Sequence, residues 1–263
     1  GVTVDDVAVS VTEFKADATT TVPPIIDVAQ SDLRTGANGH IVLVSTLGDI
    51  TLNEGTATGA DEAVSANGTG SVRIEAVAGS VTANAKADVK SGTGQITIRA
   101  GQNVSLGGDV DVQTASTGTI SVNAVAGALT MAGTADVTAT GSSARLRAQG
   151  DVTLGNVTAT NVSVVSDAGS VLNAANNLMN VTATKLRLQA QGSIGASAQH
   201  LTTSVDTVTA NAATGSVYLT ESNGVTVGDV AVSVTEFRAD ATTTGVTDAL
   251  QSDLKTGANG HIV

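Results

Sequence analysis

Residues 1–21 read GVTVDDVAVSVTEFKADATTT, and residues 224–244 read GVTVGDVAVSVTEFRADATTT. Only two positions differ, Asp5 against Gly228 and Lys15 against Arg238. The match resumes over 30–42 and 251–263, with Lys255 for Arg34, after VPPIIDVAQ has given way to the shorter GVTDALQ. The 263-residue chain therefore holds one long repeat, 1–223, and the opening of another, 224–263. At 40–44 the repeated segment runs on as an apolar alternating stretch, and residue 263 falls inside the copy of that stretch. We read the sequence as a window on a longer tandem array.

A shorter period lies inside the long one. Take Gly39, Gly70, Gly94, Gly118, Ser142, Thr160, Thr184 and Gly215 as origins, spaced 31, 24, 24, 24, 18, 24 and 31 residues apart. Two residues on stand Ile41, Val72, Ile96, Ile120, Ala144, Val162, Leu186 and Val217. Four residues on stand Leu43, Ile74, Ile98, Val122, Leu146, Val164, Leu188 and Leu219. The positions between are mostly polar, as in Arg73, Thr97, Ser121, Arg145 and Arg187. Alternation with period two is the mark of a strand with one buried face. Each unit carries a second apolar stretch after a glycine (76–83, 124–131, 167–174) and a weaker third (86–91, 110–115, 135–140).

Three short strands per coil, with glycine at corners that require positive φ, predict an all-β parallel β-solenoid with 18–31 residues per coil. A β-sandwich or barrel also spaces its strands regularly. Antiparallel neighbours, however, give no reason for a column to keep its identity from coil to coil. A narrow interior also explains one Tyr, two Phe and no Trp beside 29 Gly. Loops or insertions are predicted at 15–38, which holds both prolines, and at 54–69, which is acidic and glycine-rich.

Segments such as GSVRIEAVAGSVTANA, GQITIRAGQNVSLGG and RLRAQGDVTLGNV resemble the exported adhesin and filamentous-haemagglutinin-like repeat proteins of bacteria. The resemblance is one of pattern and covers most of 39–230. It implies a right-handed parallel β-helix, exported and held or assembled at the cell surface.

Chemistry is sparse. The absence of Cys removes disulfides and thiolate sites. His40 and His261 occupy one repeat position and His200 stands alone, with no metal spacing or nucleophile motif near them. The net charge of −12 argues against nucleic acid as a partner, and no apolar run is long enough for a transmembrane helix. Asp88, Asp111 and Asp136 align in successive coils with Asp109 beside them. They read as a solvated stripe, and are the weak candidates for calcium; no other cofactor is indicated. Arg73, Arg99, Arg145, Arg147 and Arg187 read as an outward basic stripe that sets lateral contacts between fibres.

The candidate assembly interface is the pair of chain ends, Gly1, Val2, Val4, His261, Ile262 and Val263, since open ends of a stack present unpaired strand edges. The expectation is a structural repeat unit of a long, extracellular, fibre-forming cell-surface protein, not an enzyme, with itself as partner end to end and laterally. The alternatives are an adhesin module that binds a host, a neighbouring cell or a glycan through its loops, and, more remotely, a polysaccharide-active β-helix enzyme using Asp111.

Overall fold

The computed structural model describes residues 1–263 apart from 22, 28, 29, 56–60, 176 and 177. The described residues form strands and turns with no helix. Two parallel sheets carry the molecule, one of seven strands and one of fifteen.

The narrower sheet stacks Val2–Val4, Ile50–Leu52, Val81–Ala83, Val104–Leu106, Leu129–Met131, Val152–Leu154 and Val171–Asn173 in that order. Isolated bridges continue it through Ile194 and Val217 to Ile262. The wider sheet is built from two adjacent columns of strands. One of them aligns Leu33, Val64, Val89, Val112, Val137, Val157, Val181 and Thr203. The other aligns Ile41, Val72, Ile96, Ile120, Ala144, Val162, Leu186 and Val208. The chain thus visits three strand positions per rung and returns one rung further on, as the three apolar stretches of each unit predict.

The core follows from that register. Because every rung offers the same inward positions, Val, Ile and Leu stack on Val, Ile and Leu, and Ala on Ala. Ile74, Ile98, Val122, Leu146, Val164 and Leu188 are all buried in one file, with Ala76, Ala100, Ala124 and Ala148 in the next. At roughly 25 cal/mol per Å² of apolar surface removed from water, this file-by-file burial is what holds the rungs together.

Four expectations are corrected. The unit beginning at Gly215 is misplaced. Val208 and Ala210 pair with Leu186 and Leu188, whereas Val217 bridges Ile194 in the narrower sheet and Leu219 pairs with Leu201. The stretch 207–212 reads TVTANA, and its small alanines made the alternation faint. Most corner glycines are not there for positive φ: among the described residues only Gly68, Gly141 and Gly195 adopt it, while Lys86, Asp109 and Ser116 do so at other turns. Most are required by close approach. A Cβ on Gly70 would meet the carbonyl oxygen of Gly39, and one on Gly94 the carbonyl oxygen of Gly70.

The loop at 54–69 holds a strand, Glu62–Ala66, whose Val64 and Ala66 face inward; residues 56–60 lie outside the described residues. The insertion at 15–38 begins earlier, as a hairpin over 7–30. Beyond it Leu33–Thr35 is already a strand of the wider sheet.

Candidate assembly interface

The residues singled out at the chain ends occupy the two extremes of the narrower sheet. Val2–Val4 pairs with Ile50–Leu52, and the N–H of Val2 donates to Asp49 O at 2.8 Å. Gly1 lies over Gly48 and Asp49. At the other extreme Ile262 bridges Val217. The Val217 N–H donates to His261 O at 2.8 Å, and the Val263 N–H donates to Val217 O at 3.0 Å. Val4 is buried, whereas Ile262 and Val263 are exposed beside an apolar cavity of about 190 Å³ lined by Val208, Leu219, Val227 and Leu254. The repeated segment takes different settings at the two ends. Ile41 pairs with Val72 in the wider sheet, while its counterpart Ile262 pairs with Val217 in the narrower one.

The larger interface is one that the sequence did not announce. Residues 230–251 of the second copy form an antiparallel hairpin, Val230–Phe237 against Thr243–Gln251. This arm lies back across the outer face of the wider sheet. Beneath it runs a single register line of polar residues, Arg73, Thr97, Ser121, Arg145, Ser163, Arg187 and Thr209, all buried.

Each of these residues meets the arm or the short turn after it. Arg73 Nη1 donates to Phe237 O (3.2 Å), and the Phe237 N–H donates to Thr97 Oγ1 (2.9 Å). Ser121 donates to Glu236 Oε1 (2.7 Å), and Arg187 Nε donates to Ala249 O (3.0 Å). Thr209 Oγ1 donates to Asp253 O (2.8 Å). Arg145 grips Asp248 with two hydrogen bonds of 2.9 and 3.0 Å, and Ser163 donates to the same carboxylate at 2.7 Å. Beyond the row, Thr119 exchanges two hydrogen bonds with the backbone of Thr235, and the Phe237 ring packs on His40 at 4.9 Å.

The arginine stripe is therefore not a single outward feature. Arg73, Arg145 and Arg187 lie under the arm. Arg99 and Arg147, two positions along their strands, pair with Glu75 (2.9 Å) and Asp167 (2.7 Å) at the surface. Parity does not separate them, since Arg145 and Arg147 share a face; they lie in different rows along the strand, and the arm covers only the first. The signal that would have found it was already present, a row of Arg, Thr and Ser kept polar yet compact at one register position.

The aspartates align as the spacing implies. Asp111 stands in register with Asp136, and its N–H donates to Asp88 Oδ1 at 2.7 Å. The stripe is not solvated throughout: Asp88 is buried and its Oδ2 lies 2.7 Å from Lys90 Nζ, while Asp109 sits in an exposed turn at φ 56°. Among the described residues no group of three or more His, Cys, Asp or Glu is disposed to hold a metal ion.

Burial raises the Asp88 carboxyl above its usual range against the pull of Lys90. Asp111 is raised by burial and then by the charge of Asp136. A carboxyl raised on folding contributes stability that is fully present below its unfolded pKa and lost as pH rises through the folded one. Asp111→Asn is therefore expected to raise the melting temperature at pH 7 and to leave it nearly unchanged at pH 3. Thermal unfolding at both values checks this, and a lower melting temperature at pH 7 contradicts it.

No family model, curated protein or solved structure matches the chain. No helix among the described residues is long and apolar enough to cross a membrane.

Proposed function

We propose that this chain is a structural repeat of a long, exported, fibre-forming protein of a bacterial cell surface, folded as a right-handed β-solenoid. The observation that carries this reading is the continuity of the narrower sheet. It runs rung upon rung from Val2 to Ile262 while the sequence passes from one long repeat into the next. A parallel stack with a dry Val, Ile, Leu and Ala interior resists bending because each rung is hydrogen-bonded to both neighbours. Its acidic surface keeps neighbouring fibres apart. The outward pattern of GSVRIEAVAGSVTANA and its relatives supports the export and surface assignment by resemblance alone.

The test is dimensional. From Val2 to Val217 the sheet has nine rungs, so adding one further copy of 1–223 ahead of the chain is expected to lengthen the particle by roughly 40 Å at ~4.8 Å per rung. Electron microscopy or small-angle scattering reads this directly. A particle that thickens at constant length sinks the proposal. A native subunit whose mass under denaturing conditions corresponds to many repeats would support it from the cellular side.

A further inference from the structure

The molecule contains one sequence in two situations. The first copy builds the same arm as the second. Val7 bridges Gln30 and Phe14 bridges Thr20, as Val230 pairs with Gln251 and Phe237 with Thr243. The tips agree in detail: Thr19 closes on Asp17 with bonds of 3.0 and 2.6 Å, and Thr242 on Asp240 with the same two distances. The arm is thus formed whether or not it is docked.

What differs is burial. Val230, Val232, Val234 and Phe237 are 1, 1, 2 and 1 % exposed, while their counterparts Val7, Val9, Val11 and Phe14 are 63, 49, 48 and 76 % exposed. An exposed apolar face of this kind marks an interaction surface. Here the occupant is written into the molecule, because the docked copy shows which surface the face fits. The polar anchors are also retained. Glu13, Asp27 and Gln30 stand where Glu236, Asp248 and Gln251 meet Ser121, Arg145 and Thr209.

We propose that the first arm docks on the polar row Arg73–Thr97–Ser121–Arg145–Ser163–Arg187 of another copy of the repeat 1–223, repeating there the contacts that the second arm makes with the repeat before it. The arm is then a latch that joins repeats along a fibre, and in that respect the inference rests on the proposed function. Because each chain covers its own row with its second arm, joining requires that arm to give way. Exchange of one arm for its near-identical twin is the chemistry of domain swapping.

The chain has no Cys, so a disulfide trap is clean. Glu13→Cys and Ser121→Cys are introduced into the full chain together with Val232→Asp and Val234→Asp, which free the row by spoiling the apolar face of the second arm. Mild oxidation is expected to give a ladder of covalent dimers, trimers and higher species that grows with protein concentration. Adding Val9→Asp and Val11→Asp is expected to abolish the ladder.

A protein that stays monomeric on oxidation, with its strand spectrum and protease resistance intact, overturns the inference. So does a cross-link formed within one chain, or a ladder that survives the Val9 and Val11 changes. If the paired substitutions unfold the stack, Val232→Asp alone replaces them. The particle-length measurement remains separate: cross-linking without lengthening would leave the latch standing and remove the in-line fibre.

Discussion

Replacing Arg145 by alanine is expected to detach the arm while leaving the stack beneath it folded. The side chain is almost fully enclosed, and its guanidinium is held in a two-pronged grip on Asp248 that Ser163 completes. Removing one partner of a buried ion pair leaves the other charge without compensation, at a cost of about 3–5 kcal/mol. That cost falls on the arm, because the backbone at position 145 stays anchored by strand pairing to Ser121 and Ser163.

The amides of Thr235 and Phe237, which donate to Thr119 and Thr97, report on docking. Their hydrogen exchange is expected to accelerate by roughly 10²- to 4 × 10³-fold at ~1.4 kcal/mol per decade, while the amide of Ile98 keeps its protection. Equal acceleration at Ile98 would show that the arm and the stack unfold together.

The pH dependence of docking has a definite sign. Burial pushes Asp248 upward, but the hydrogen bonds from Arg145 and Ser163 and the charges of Arg145 and Arg187 outweigh it and hold the carboxyl below its ordinary range. A carboxylate lowered on folding contributes stability that is present above its unfolded pKa and lost as pH falls through the folded one. Acid therefore acts in the direction of the alanine substitution. The double change Arg145→Met with Asp248→Leu, which replaces the ion pair by apolar contact, is expected to recover part of the loss.

The stack was legible because its signal is repeated. Ile98 alone between two polar neighbours says little, but Ile74, Ile98, Val122 and Leu146 at one offset in successive units define a file. The sequence reading failed where a file is filled by small residues, as at Val208 and Ala210, and where a strand is short and sits among glycines, as at Glu62–Ala66. The arm was half legible. Its divergent segment marked 15–38 as an insertion, but nothing local says that Val230, Val232, Val234 and Phe237 turn inward against a sheet. That depends on contacts across more than 100 residues of chain, such as Thr119 with Thr235. The arginines were read as exposed because the strand parity that turns them away from the core also turns them toward the arm. Parity reports which face a residue occupies and not what covers that face.

Gly94→Val is expected to produce the largest damage to the stack itself. Gly94 does not adopt positive φ, so the demand is one of space rather than of backbone conformation. A Cβ there would meet the carbonyl oxygen of Gly70, with the Gly70 carbonyl carbon at 2.5 Å and the Ser71 nitrogen at 2.8 Å, all of them backbone. Backbone atoms cannot rotate away as the end of a flexible side chain can, so the rungs must separate locally. The hydrogen bonds that flank the contact, Val72 N–H to Gln95 O at 2.8 Å and Ile96 N–H to Thr119 O at 2.9 Å, then lengthen or break.

Overpacking of this kind costs ~1–3 kcal/mol, and each backbone hydrogen bond lost adds about 1 kcal/mol. A total on the order of 3–5 kcal/mol follows, and even alanine should be costly there. Gly245→Ala is the matched control, since nothing lies within 4 Å of its would-be Cβ. It is expected to shift stability by no more than about 0.5 kcal/mol. Denaturant unfolding of the three chains decides the matter. If Gly94→Val unfolds at the same midpoint as Gly245→Ala, the glycine file is not what lets the rungs approach, and the packing argument for these glycines is wrong.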